Sequence, residues 1–351
     1  MTMRDRMLAV VRGEEHDRVP FVQYSGNGAP DDEAWSLLGR DHMGILLWQA
    51  IYWWEHPNCR IVSEEVSFDG RRGVLRTMHT PAGTLTEERI YQPTYQVEAF
   101  REHFVKEPRD YQVLLAYFRD AVLHDCLTDI DRYDAELGDD GFCHASVERT
   151  PYQQLWIQWV SLLDLGLHLV DAPDILHEVI SVMIENQRKV FQLVPKAEIP
   201  YIVIPDNITA PPIGEKYFRQ YCLPLYRELV GIAGERGIPV YAHLDGDLKP
   251  LWKAIGESGL RGIDSFSPPP DNDTSPAEAV AMWPEMRLLV NFPSSVHLRE
   301  PDAIYQRAME ILQEAGHTGR LQIQISENVP PGMWRKSYPQ IVKAIRDFGR
   351  P

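Results

Sequence analysis

Hydrophobic positions recur along this chain in short, regularly spaced runs. Residues 3–12 pattern as an amphipathic helix, with Met7, Leu8 and Val11 on one face and Arg4, Asp5 and Arg12 elsewhere. The run from Arg18 to Tyr24 then reads as a buried strand, followed by a loop over Ser25–Pro30 rich in Gly, Asn and Pro. Asp31 and Asp32 cap a helix over residues 33–39. Residues 59–92 alternate apolar and polar positions, punctuated by Asp69-Gly70 and Pro81-Ala82-Gly83, which predicts an antiparallel hairpin or meander inserted into the fold. Helices are expected over 97–104 and 108–125.

From residue 140 the pattern becomes periodic. Strands are predicted at Phe142–Val147, Tyr201–Pro205, Pro239–His243, Gly262–Phe266, Arg287–Asn291 and Leu321–Ser326. Helices alternate with them at 152–165, 172–194, 215–234, 250–259, 276–282, 302–315 and 334–348. Strands apolar on both faces and separated by helices signify βα units around a parallel sheet. With the strand at 19–24 the count is seven, and one more, near 45–52 or in the hairpin, closes an α/β (β/α)8 TIM barrel. An open doubly wound sheet is the competitor, but no glycine-rich phosphate fingerprint follows any strand. The expectation is one domain over residues 1–351, with an N-terminal helical segment and the 59–92 insertion.

Composition narrows the class. Of 351 residues, 44% are hydrophobic and 25% charged, as in ordinary globular proteins. The formal charge of −16 disfavours nucleic acid and anionic membrane surfaces as partners. Four cysteines without a disulfide-like spacing, and an N-terminus without an apolar signal core, point to the cytoplasm. Trp48, Tyr52, Trp53 and Trp54 have helical spacing, which suits core packing, a homodimer contact or an apolar wall over a site.

Barrel chemistry sits at the C-terminal ends of the strands. There the sequence gathers Glu148, Asp206, Asp245, Asp264 and Glu327, with His243 and Arg149. So many acids need a shared cation. His243 and Asp245 lie two apart in an extended segment and point the same way, and Glu327 ends another strand. One nitrogen and two oxygens suit a divalent metal, zinc or a harder ion, with open coordination positions. A bare hydrogen bond from His243 to Asp245 is the simpler alternative. Asp206 and Asn207 are candidates for orienting substrate, and Tyr24, Gln153 and His297 for positioning it or handling protons. Cys143-His144 lies within a strand and reads as core.

Several stretches resemble the uroporphyrinogen decarboxylase superfamily: Met3–Phe21, Thr80-Pro-Ala-Gly-Thr84, Asp206-Asn-Ile-Thr-Ala-Pro-Pro-Ile, Pro239–Asp247 and Ser326–Pro331. The resemblance runs in order along nearly the whole chain and implies the same barrel. True uroporphyrinogen decarboxylases hold their polyanionic substrate with arginines after the first strand, whereas Gln23–Pro30 has no Arg or Lys. Around His243 the chain is more similar to the corrinoid-dependent, methylcobamide:coenzyme M methyltransferase-like branch. There zinc is held by H-x-C and a distant Cys. Asp245 and Glu327 stand at those places here, and no cysteine replaces either. The resemblance implies metal-assisted methyl transfer between a small substrate and a corrinoid protein or other carrier. Oxygen ligands would turn it from thiols toward methoxy or methylamine substrates, or a folate acceptor. A metal-free decarboxylase or lyase, a metal-dependent hydrolase or lyase, and a non-catalytic corrinoid-binding partner are the other readings.

Overall fold

The computed structural model describes residues 1–94 and 96–350. Its strands, in chain order, are β1 (Phe21–Tyr24), β2 (Gly44–Ala50), β3 (Tyr52–Glu55), β4 (Arg60–Phe68), β5 (Arg71–Thr80), β6 (Gly83–Gln92), β7 (Val97–Glu102), β8 (Val122–Asp125), β9 (Gly141–Ser146), β10 (Ile202–Ile204), β11 (Val240–Leu244), β12 (Gly262–Phe266), β13 (Arg287–Asn291) and β14 (Leu321–Ile325). The chain divides into two compact units. One comprises residues 1–51, 126–147 and 194–351; the other comprises 52–125 and 148–193.

The first unit is a closed parallel barrel of eight strands in the order β1-β14-β13-β12-β11-β10-β9-β2. This is the expected (β/α)8 fold. The missing eighth strand is β2, at 44–50, where Ile45 pairs with Gly141 and Trp48 with His144. Alternate residues of the barrel strands face inward. One apolar layer contains Val22, Leu46, Phe142, Tyr201, Val203, Tyr241 and Leu289. The N-terminal helix Met3–Arg12 adds Met3, Met7, Val10 and Val11 to that cluster. The amphipathic stripe read from the sequence thus plugs one end of the barrel. Thr2 and Asp5 form its capping box, and Gly13 closes it in the left-handed region at φ 77°.

The second unit contains a four-stranded antiparallel sheet, β4-β5-β6-β7, and a two-stranded sheet of β3 and β8. The insertion is as expected, but the helix predicted at 97–104 is a strand. Residues 97–102 pair with β6 from Gln92↔Val97 to Glu88↔Glu102, so a sheet edge overrides local preference. The helix predicted at 108–125 spans only Tyr111–Arg119, and 122–125 pairs with β3. The tryptophan cluster is likewise not helical. Trp48 lies on β2, and Tyr52, Trp53 and Trp54 form β3, where aromatic residues pack across strands. The long helical stretch after β9 is broken into Pro151–Gln154, a π-helical turn at Leu155–Trp159, Leu162–Asp171 and Pro173–Phe191. Helix Leu127–Leu137 lies where no element was expected. No helix among the described residues is long and apolar enough to cross a membrane.

Candidate metal centre

His243 is on β11, Asp245 follows it, and Glu327 lies two residues beyond the end of β14. Both carboxylates reach the same imidazole nitrogen: His243 Nε2 is 3.3 Å from Asp245 Oδ2 and 3.2 Å from Glu327 Oε1. One ligand atom from each of the three residues lies within 4.8 Å of the others. Parallel pairing of β11 with β12 shifts register between Ala242 and Leu244, and that of β12 with β13 between Asp264 and Phe266. Such irregularities re-aim side chains at barrel rims, and here they flank His243 and Ser265.

Each ligand is itself held. His243 Nδ1 is 3.0 Å from the Asp264 carbonyl oxygen and 2.8 Å from the Ser265 backbone N–H. Asn207 Nδ2 donates to Asp245 Oδ2 at 2.9 Å. Asn207 has φ 51°, a left-handed conformation that asparagine tolerates better than most residues. Asn291 Oδ1 accepts the backbone N–H groups of Ser326 and Glu327, and Asn27 Nδ2 donates to the Glu327 carbonyl. Burial disfavours charge on His243, but Asp245 and then Glu327 outweigh it and raise its pKa to about 10. Burial likewise works against Asp245, yet the facing imidazolium holds its carboxyl below the usual range.

Beside this triad is a buried polar layer centred on Asp264. Its carboxylate accepts from Tyr24 Oη at 2.7 Å, Tyr201 Oη at 2.8 Å and Gln324 Nε2 at 2.7 Å. His144 Nδ1 lies 3.6 Å from Asp264 Oδ2. Burial pushes the His144 pKa down to about 4 against the pull of Asp264, so its ring is neutral near pH 7. Burial, reinforced by Asp264, keeps the Tyr24 and Tyr201 hydroxyls protonated far above their ordinary range.

The structure therefore brings His243, Asp245, Glu327, Asn207 and Tyr24 into one network of direct or shared partners. Asp206 is fully buried and accepts from Tyr226 Oη at 2.7 Å. His297 is buried in the short helix after β13, with Nδ1 2.7 Å from Ser337 Oγ and its ring against Phe292 and Tyr338. Gln153, with Glu148 and Arg149, belongs to the second unit, where its Oε1 accepts from Trp156 Nε1 at 2.7 Å. The sequence places His144 in the core, and it is fully buried. It shares parity along β9 with Phe142, so it faces the barrel interior, a position that strand alternation alone would have revealed.

The donor set fits a divalent cation: one imidazole nitrogen and two carboxylate oxygens converge and leave coordination positions open. A backbone carbonyl stands at the other imidazole nitrogen, the partner that metal-bound histidines use to fix their tautomer.

Comparison with known proteins agrees with this architecture. A family model described as uroporphyrinogen decarboxylase (URO-D) matches residues 165–348, more than half of the chain. The chain belongs to the uroporphyrinogen decarboxylase family. Among solved structures, one described as a methyltransferase from Methanosarcina mazei aligns with a TM-score of 0.58 at 15% identity, covering 99% of both chains. The two share a fold. A B12-independent methionine synthase from Shewanella sp. W3-18-1 aligns at a TM-score of 0.40 and 9% identity, over 84% of this chain and 77% of that one. A search of curated proteins finds no match.

Proposed function

We propose that this protein is a methyltransferase of the family, with His243, Asp245 and Glu327 holding a divalent metal, zinc by preference. It would move a methyl group between a small substrate and a corrinoid protein or other carrier. The observation that carries this reading is the convergence of the three donor atoms from the ends of two barrel strands. The solved structure described as a methyltransferase, which aligns over 99% of both chains, accords with it.

When bound, the metal supplies a Lewis-acid centre for the substrate heteroatom. The protein's own residues do the rest. Asn207 orients Asp245, while Asn27 and Asn291 fix the backbone of Glu327. Tyr24, tied to Asp264 and resistant to ionisation, acts as a hydrogen-bonding wall rather than a proton donor. Asp206, which accepts from Tyr226, and His297 would orient substrate.

Porphyrin decarboxylation is disfavoured by the loop after β1. Asp31 organises that loop, accepting from Gln23 Nε2, Ser25 Oγ and the Gly26 N–H. A polyanionic substrate would meet a carboxylate there where it needs cations.

The test is methyl transfer from a panel of methylated amines, ethers and thiols to a reduced corrinoid protein, before and after chelation. Loss of transfer on chelation, restored by zinc, supports the reading. Turnover of a carboxylated substrate that survives chelation would replace it with the metal-free lyase reading.

A further inference from the structure

The second unit contains a cavity of about 140 Å³ whose walls include Trp54, Tyr117, Phe118, Trp159, Met183 and Glu148. The aromatic walls brace one another. Trp159 lies 5.6 Å from Tyr117 and 5.4 Å from Phe118, ring centre to ring centre, and His56 stacks on Tyr117 at 3.9 Å. Trp159 ends the π-helical turn, in which the Val160 N–H reaches back to the Leu155 carbonyl at 2.9 Å. Widened turns of this kind recur at functional sites.

Among the described residues of this lining, Glu148 is the one carboxylate, and none is a lysine or an arginine. Trp54 Nε1 donates to Glu148 Oε1 at 2.7 Å, which fixes the carboxylate. Burial pushes the Glu148 pKa up to about 7, with only the Trp54 hydrogen bond opposing it. A carboxylate among ring faces, with no lysine or arginine in the lining, is an electrostatic environment that favours a cation.

Size and polarity define that cation further. A cavity of about 150 Å³ holds a benzene-sized molecule, so the occupant has about six heavy atoms. A primary ammonium would need three acceptors, whereas a methylated one presents only C–H groups to rings. We propose that this cavity binds a small methylated onium cation, with Glu148 as counter-ion and Trp54, Tyr117 and Trp159 as aromatic walls. The proposal stands on the second unit alone and goes beyond the reading of the metal triad.

The test is calorimetric titration of the full-length protein with tetramethylammonium, trimethylsulfonium, choline and 3,3-dimethylbutan-1-ol, the neutral isostere of choline. The expected result is saturable binding of the cations, with the neutral isostere weaker by at least about tenfold. Comparison of the two methylated ions shows whether nitrogen or sulfur is preferred. Glu148→Gln and Trp159→Leu should each weaken choline by about tenfold or more, with folding checked by thermal melting. Equal affinity for choline and its isostere, no saturation by about 10 mM, or wild-type affinity in Glu148→Gln would overturn the assignment. The measurement needs neither metal nor turnover, so its failure leaves the methyl-transfer reading untouched.

Discussion

Tyr24 donates its hydroxyl proton to Asp264 Oδ1 at 2.7 Å, across 240 residues of chain. Tyr201 and Gln324 donate to the same buried carboxylate, so β1, β14 and the residue that leads into β10 point donors at one acceptor. Replacing Tyr24 by Phe removes one donor and should cost about 1–3 kcal/mol. Asp264→Asn turns an acceptor into an amide that faces three donors, and the loss should exceed that of Tyr24→Phe. Urea denaturation midpoints measure both, and an unperturbed Asp264→Asn would refute the acceptor role.

His243→Ala should abolish metal binding, from about one ion per chain to a trace by elemental analysis. Glu327→Gln should weaken affinity and keep the fold, because its side chain lies beyond the strand end. Asn207→Ala tests the supporting contact: loss of its hydrogen bond to Asp245 should weaken metal binding by about 10–100-fold. Stoichiometric metal in His243→Ala would remove the triad from consideration.

Glu148 makes stability depend on pH. Its folded pKa of about 7 lies above the ordinary value of 4.5, so the folded chain binds the proton more tightly than the unfolded chain. Its contribution is complete below pH 4.5 and is lost as pH rises through about 7, a fall of about 3 kcal/mol. Glu148→Gln should flatten this part of the stability–pH profile. An identical slope in the variant would count against a buried, proton-holding carboxyl.

Glycine packing offers a sharper stability contrast. A Cβ at Gly141 would lie 1.9 Å from the Ile45 carbonyl oxygen, so Gly141→Ala must part β2 from β9. The expected cost is about 3 kcal/mol or more. Gly166, inside the helix Leu162–Asp171, has open space at the same position, and Gly166→Ala should stabilise by about 0.5–1 kcal/mol. Thermal melting should separate the two variants in opposite directions.

The barrel was legible because its strands are buried on both faces and stand apart between helices. β2 was the difficult strand: its tryptophan sits four residues before Tyr52 and imitates a helical stripe, and only pairing with β9 decides the matter. The strand at 97–102 was hidden for a similar reason, since its partner β6 and not its own pattern specifies it. The triad could be anticipated because strand-end position and i, i+2 spacing put His243 and Asp245 on one side. The polar layer around Asp264 could not, since Tyr201, His144 and Gln324 converge only when the sheet closes. Glu148 illustrates the limit of the strand-end rule: it follows β9 in sequence but belongs to the second unit.

The setting of His243 Nδ1 between the Asp264 carbonyl and the Ser265 N–H has a further consequence. These two groups are the opposite ends of one peptide link, an acceptor and a donor side by side. Nδ1 therefore finds a partner whether it carries hydrogen or a lone pair. With hydrogen held on Nδ1 by the carbonyl, loss of the Nε2 proton alone turns the donor that faces the two acids into a lone pair for a cation, and the ring need not swivel.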